Sequence, residues 1–106
     1  MVTMDEFKKL ELRVAEVVEV KDHPNADRLY VLTVRVGEET KTIVAGVRKY
    51  YTAEELKGKK IILVNNLEPA VIRGVESQGM MLAASADETL TVVIPERAIA
   101  SGSVVR

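Results

Sequence analysis

The sequence predicts an all-β protein: a barrel of five strands, with a short helix between the third and fourth, a helix ahead of the barrel and an extension after it. Three observations predict this. Between residues 12 and 64, β-branched residues recur with strand-like alternation. Turn-forming residues punctuate them at short intervals, in His23-Pro24-Asn25-Ala26-Asp27, at Gly37-Glu38 and at Gly46. One short helical signal, Thr52–Gly58, interrupts the strands.

Taken in order, the first helix is capped by Thr3, with Glu6 three residues on completing a capping box. Met4, Phe7 and Leu10 share one face of it by their three-residue spacing. The run Leu12–Val20 is too long for a flat strand and is expected to bend. Arg28–Val36 is the second strand, with Tyr30, Leu32, Val34 and Val36 on one face. Gly37-Glu38 turns it into Glu39–Ala45. Thr52 and Glu55 make a second capping box, and Gly58 is the expected helix stop. Lys60–Val64 is a continuous apolar run, expected to be buried on both faces. Residues 65–69 form a loop, and Val71–Arg73 and Met80–Ser85 are short extended pieces around Gly74 and Gly79. Asp87-Glu88 turns into Thr91–Ile94, and Pro95 and Ser101-Gly102 make the tail irregular. Three strands in a meander, a helix and two further strands is the order of the OB fold.

The chain has 106 residues, which fits one domain over 1–106. An apolar fraction of 47% argues against wholesale disorder. The absence of Cys excludes disulfides, thiolate zinc and a cysteine nucleophile. No run approaches the roughly 20 apolar residues of a membrane span. The amino terminus turns acidic at Asp5-Glu6 and lacks a signal-peptide core. These features lead us to expect a soluble, cytoplasmic protein. The net charge of −1 is unevenly spread. The basic surplus lies in the middle third, at Arg35, Lys41, Arg48, Lys49, Lys57, Lys59, Lys60 and Arg73. Local field steers a polyanion more than net charge does.

Catalytic clusters are scarce. The lone His23 stands between Asp22 and Pro24, and reads as part of a capped turn rather than as a base or metal ligand. Gly74 and Gly79 are not followed by Lys-Ser/Thr, which excludes a P-loop. Ser77 lacks a nucleophile-elbow context. The expectation is therefore no catalytic residues, no metal and no cofactor. Asn65-Asn66 and the stretch Arg73–Met80 combine amides, a hydroxyl, a cation and two glycines, which suit contacts to phosphates or base edges. Alternation turns one of Met80 and Met81 inward and leaves the other as apolar surface. Only four aromatic residues occur, and Tyr50-Tyr51 beside Arg48-Lys49 is the one basic-aromatic cluster. At least one of that pair is expected to pack under the short helix. So few rings favour reading the shape and backbone of a folded RNA over stacking along an extended strand.

Glu11-Leu12-Arg13-Val14, His23–Tyr30, Ile43-Val44-Ala45-Gly46, the spacing of Asn65, Leu67 and Pro69, and Arg73-Gly74-Val75-Glu76-Ser77-Gln78-Gly79-Met80 occur in that order. Together they resemble the tRNA-binding domain of methionyl-tRNA synthetases, found at the C-terminus of bacterial enzymes and as detached archaeal β subunits. The same domain occurs in free-standing tRNA-binding proteins and in the endothelial monocyte-activating polypeptide. The resemblance spans about residues 5–105. It implies an OB-fold module without catalysis that binds tRNA by its structure, beside a methionyl-tRNA synthetase catalytic subunit. By matching position it implies Asn65, Arg73, Ser77 and Met80 as tRNA-binding residues. Lys41, Arg48, Lys60 and Arg35 join them on the charge count alone, as phosphate contacts. It further implies a homodimer, with Met4, Phe7, Leu10, Val92 and Ile94 at the interface. The near-neutral charge departs from more basic relatives and points to action by tethering to a synthetase. The peptide-binding chaperone CsaA is similar over the same blocks. An apolar groove at a dimer seam would favour that alternative, and basic residues flanking Ser77–Met80 favour RNA.

Overall fold

The structure, a computed structural model, describes residues 1–106. In chain order its elements are α1 (Met4–Phe7), β1 (Leu12–Asp22), β2 (Tyr30–Val36), β3 (Glu39–Ala45), α2 (Ala53–Leu56), β4 (Lys60–Val64), β5 (Ala70–Ile72), β6 (Val75–Ser77), β7 (Met80–Met81), β8 (Ala83–Ala86), β9 (Thr89–Val92) and β10 (Val104–Val105). The main sheet runs β3-β2-β1-β4-β7, and β10 pairs with β1. Three strands, a helix and two further strands are the expected order, and the sheet curls as an OB-like barrel requires.

The long strand β1 makes the curl possible. Its first half, Leu12–Glu16, pairs with β4, and Glu16–Asp22 pairs with β2 on the opposite edge. The register with β2 shifts between Val17 and Glu19, so Val18 bulges and bends the strand. The expected end at Val20 falls short by two residues. On β2 the predicted face of Tyr30, Leu32, Val34 and Val36 is buried throughout. Ile61, Ile62, Leu63 and Val64 of β4 are all buried, as the apolar run required. Leu32, Ile43, Ile61 and Leu63 meet inside the barrel, and Leu56 of α2 joins them without exposed surface.

Both helices are single turns, and both carry the complete predicted capping box. Each glutamate accepts the cap residue's own N–H, from Thr3 at 3.1 Å and from Thr52 at 2.8 Å. That backbone hydrogen bond, and then the threonine hydroxyl, hold the Glu6 and Glu55 carboxyls below the ordinary range. A carboxyl depressed in the folded state stabilises above its unfolded value, and the contribution disappears as pH falls through the folded value. Glu55→Gln keeps an acceptor but cannot titrate. The stability difference between wild type and E55Q is therefore expected at neutral pH and should vanish on acidification. Urea unfolding between about pH 7 and 3 measures it, and a difference that persists at the acid end refutes the assignment.

Helix α1 is one turn long and none of its residues is buried. Two expectations need correction. The tail is not wholly irregular, because Val104 and Val105 pair with Arg13 and Leu12. Gly102 permits this: its φ is +93°, its N–H donates to the Val14 carbonyl at 2.7 Å, and an added Cβ would sit 2.9 Å from Gly37 Cα. The pieces around Gly74 are a hairpin of their own, β5–β6, standing between β4 and β7.

Candidate nucleic-acid interface

Strands β3 and β7 end the sheet, and side chains of the segment between them close the barrel. The Val44 N–H donates to Ser77 Oγ at 2.9 Å, and that hydroxyl donates to the Gly79 carbonyl at 3.0 Å. Next along the seam, Thr42 N–H donates to Gln78 Oε1 at 2.9 Å while Gln78 N–H donates to the Thr42 carbonyl at 2.8 Å. Gln78 thus imitates a strand partner for β3. Gly79 is required beside it, because a Cβ would lie 3.0 Å from the Val64 carbonyl oxygen. Further along, Lys41 Nζ donates to the Asn65 carbonyl at 2.8 Å.

The far end of this seam is the tip of the β5–β6 hairpin. Ile72 faces Val75, so Arg73 and Gly74 are a two-residue loop. Both have positive φ, 52° and 92°, the geometry of a type I′ turn. Arginine is strained there, and the β1–β2 loop holds it. Asn25 Nδ2 donates to the Arg73 carbonyl and Arg73 Nη2 donates to the Asn25 carbonyl, each at 3.1 Å. His23 adds a third tie. Its Nδ1 accepts the Asn25 N–H at 3.0 Å, which leaves Nε2 to donate to the Ile72 carbonyl at 2.9 Å. His23 is buried and serves as a bracket, in keeping with the turn reading. The His-Pro-Asn-Ala-Asp-Arg motif and the Arg-Gly-Val-Glu-Ser-Gln-Gly-Met motif are therefore two halves of one brace.

Seen against this seam, the predicted residues fall into four groups. Arg73, Met80 and Lys41 line it, and Asn65 meets it only through its backbone carbonyl, since its Nδ2 donates to Glu11 Oε1 at 3.2 Å and its Oδ1 is buried. Met80 points outward at 48% exposure while Met81 enters the core, and Val71 beside them is 71% exposed. Ser77 is on the seam but only 4% exposed, with its hydroxyl spent on the barrel, so it frames the surface rather than meeting a ligand. Arg48 lies by the β1–β2 loop, its guanidinium 3.1 Å from Asp22 and 5.9 Å from the Tyr30 ring centroid. Arg35 and Lys60 lie elsewhere. Both stand opposite Glu16 of β1, at the centre of the sheet and across the barrel from the seam. Arg35 pairs with Glu16, and Lys60 Nζ donates to the Ile99 carbonyl. Like charge counted along the chain was not charge gathered on one surface.

Two contributors are not legible as such in the sequence. Asn25 reads as a turn residue within the His23–Tyr30 block, and its reciprocal bonds to Arg73 cross from another loop. Val71 reads as a plain apolar residue of a short segment, yet it is exposed beside the seam. Of the residues expected at a dimer interface, Met4, Phe7, Leu10 and Ile94 are exposed, whereas Val92 is buried in the core.

A braced, partly exposed ridge that carries an arginine at its tip and the apolar side chains of Val71 and Met80 beside it has the form of a binding surface. Residues 12–104 match the family described as "Putative tRNA binding domain", and the chain belongs to that family. The methionine–tRNA ligase of Pyrococcus horikoshii is 51% identical over 105 residues, covering 99% of this chain and 14% of the ligase. The chain thus spans about one seventh of the length of that curated relative. The crystal structure of a MetRS related protein from Pyrococcus horikoshii superposes with a TM-score of 0.93 at 34% identity, covering 100% of this chain and 98% of the other. The CsaA chaperone protein from Picrophilus torridus superposes with a TM-score of 0.92 at 28% identity, with both chains fully covered. The chain is a domain of the tRNA-binding family, homologous to part of methionyl-tRNA synthetase. No helix is long and apolar enough to cross a membrane.

Proposed function

We propose that residues 1–106 act as one domain that captures tRNA for a methionyl-tRNA synthetase in the cytoplasm, as its C-terminal domain or as a separate β subunit. The observation that carries this is the braced ridge from Arg73 to Met80. A fixed ridge suits reading the shape of a folded RNA, since the contacts it can make are to backbone and to a few unpaired bases. Arg73 spends one N–H on Asn25, and a guanidinium has five, so the others remain for phosphate. Lys41 likewise keeps donors beyond its bond to Asn65. Near-neutral net charge limits affinity, and tethering to the synthetase compensates by raising the local concentration of tRNA.

The domain works as a homodimer in this proposal. Phe7 and Leu10 border a groove of about 430 Å³ that continues past Leu12 to Val104 and Val105. A second copy seated there would cover the apolar face of α1, where Met4, Phe7 and Leu10 stay at least partly exposed within one chain. The same groove is what the CsaA-type reading would assign to a peptide, and the CsaA likeness supports that reading. The RNA reading is favoured because Arg73 and Lys41 flank the Ser77–Met80 block.

Titrating total tRNA, duplex DNA and an unstructured RNA at two salt concentrations tests the assignment. Wild type should prefer tRNA, with affinity that falls as salt rises. Arg73→Asn tolerates the positive φ and removes the charge. It should weaken tRNA binding and lower the log–log salt slope by about one. Unchanged affinity and slope would remove Arg73 from the interface.

A further inference from the structure

The two adjacent tyrosines of the β3–α2 loop have different tasks, and only one is structural. The Tyr51 hydroxyl accepts the Val92 N–H at 3.0 Å and donates to Thr91 Oγ1 at 3.5 Å. Tyr30 beside it donates its hydroxyl to the Tyr51 carbonyl at 2.7 Å. These bonds tie the loop to β2 and β9 and leave neither ring free to move. The Tyr50 hydroxyl makes no hydrogen bond, and the residue is 39% exposed. Lys49 Nζ lies 5.8 Å from the ring centroid, and Arg48 stands one residue further back. An open cleft of about 260 Å³ runs past Tyr30, Arg48, Lys49, Tyr50, Thr52 and Glu55.

The charges around this ring decide what it can receive. Two acids face the loop. Asp22 is already paired with Arg48, and the Glu55 carboxylate accepts the Thr52 N–H of the α2 capping box. Lys49 forms no salt bridge. A partly exposed aromatic ring with a free ammonium over it matches a flat π-system that carries a phosphate. It does not match a cationic or purely aliphatic group.

The cleft also lies at the same end of the barrel as the braced hairpin tip. Tyr30 of β2 is registered with Ala45 of β3, so the β1–β2 loop that grips Arg73 and the loop that carries Tyr50 leave the sheet side by side. A ligand lying along the ridge can reach both.

We propose that Tyr50 is a stacking platform for one unpaired nucleotide of the bound RNA, with Lys49 holding the adjoining phosphate. This rests on the tRNA-binding reading and adds to the shape-reading ridge a contact that requires a base free of pairing. Stacking of a base on an aromatic side chain is sequence-tolerant, which suits a module that serves by structure.

The test uses residues 1–106 and their own fluorescence, because this chain has three tyrosines and no tryptophan to mask them. A single-stranded RNA oligonucleotide should quench the tyrosine emission of wild type, and a blunt RNA duplex of the same length should not. Tyr50→Phe should keep affinity and lose most of the quenching. Tyr50→Ala should weaken the single strand, and tRNA with it, by about fivefold to a hundredfold. Tyr50→Leu, which keeps apolar bulk without a π face, should resemble alanine and guards against a loss of packing. Lys49→Ala should lower the salt slope by about one. Tyr50→Ala binding within twofold of wild type overturns the proposal, as does equal quenching by the duplex. If Tyr50→Ala fails while Arg73→Asn still weakens tRNA, this inference alone is wrong. If wild type binds no tRNA, the function itself is wrong and the inference falls with it.

Discussion

Ser77→Ala is expected to destabilise the domain by about 1–3 kcal/mol, because it leaves the buried Val44 N–H without its acceptor. For a domain of this size each kcal/mol lowers the melting temperature by roughly 4–8 °C. Ser77→Thr keeps the hydroxyl and should retain more of the stability. Differential scanning calorimetry with parallel tRNA titration separates two roles. If Ser77 frames the seam, stability falls first, and tRNA binding should recover at temperatures where the variant is folded. If Ser77 instead met RNA directly, binding would fall with melting unchanged. The second outcome would reverse the assignment made from its burial, and would restore the position-matched expectation of a direct contact.

Leu10→Asp is expected to convert the proposed dimer into a monomer at micromolar protein. Leu10 is exposed on the α1 side of the groove, so aspartate costs the single chain little. In a two-fold interface the substitution occurs twice, and each copy would bury a charge against apolar surface. An interface anchor is worth about 2 kcal/mol or more when lost, so the dimer dissociation constant should rise by at least about a hundredfold. Sedimentation equilibrium of wild type and L10D reads this directly. A monomeric wild type refutes the dimer. A dimeric wild type that L10D leaves intact places the interface elsewhere. Loss of tRNA affinity together with dissociation would show that two ridges act on one RNA.

These two positions illustrate how far sequence carries. The alternation at Tyr30, Leu32, Val34 and Val36 was legible because a half-buried strand has a period of two, and the structure buries all four. The capping boxes at Thr3–Glu6 and Thr52–Glu55 were legible because a cap needs only residues three apart. The helix between strands three and four was enough to indicate the barrel order. Local chemistry determined these features, and no distant partner had to be known.

The site was less legible, for a physical reason. Asn25 and Arg73 are 48 residues apart and become partners only when the β1–β2 loop folds onto the hairpin. Ser77 carries the same hydroxyl whether it meets RNA or a backbone N–H, and only barrel closure decided for the latter. Arg35 and Lys60 counted as basic residues in a basic stretch, yet the curl of β1 put them across the barrel from the ridge. The family resemblance implies Val92 at an interface, and the β8–β9 hairpin turns it into the core. By itself, then, the sequence determined the strands, the caps, the core face of β2 and the family resemblance, all set by near neighbours or by ordered motifs. Tertiary structure alone decided which polar groups are spent on closing the barrel and which remain for a ligand, because a hydrogen bond across the seam depends on where the chain returns.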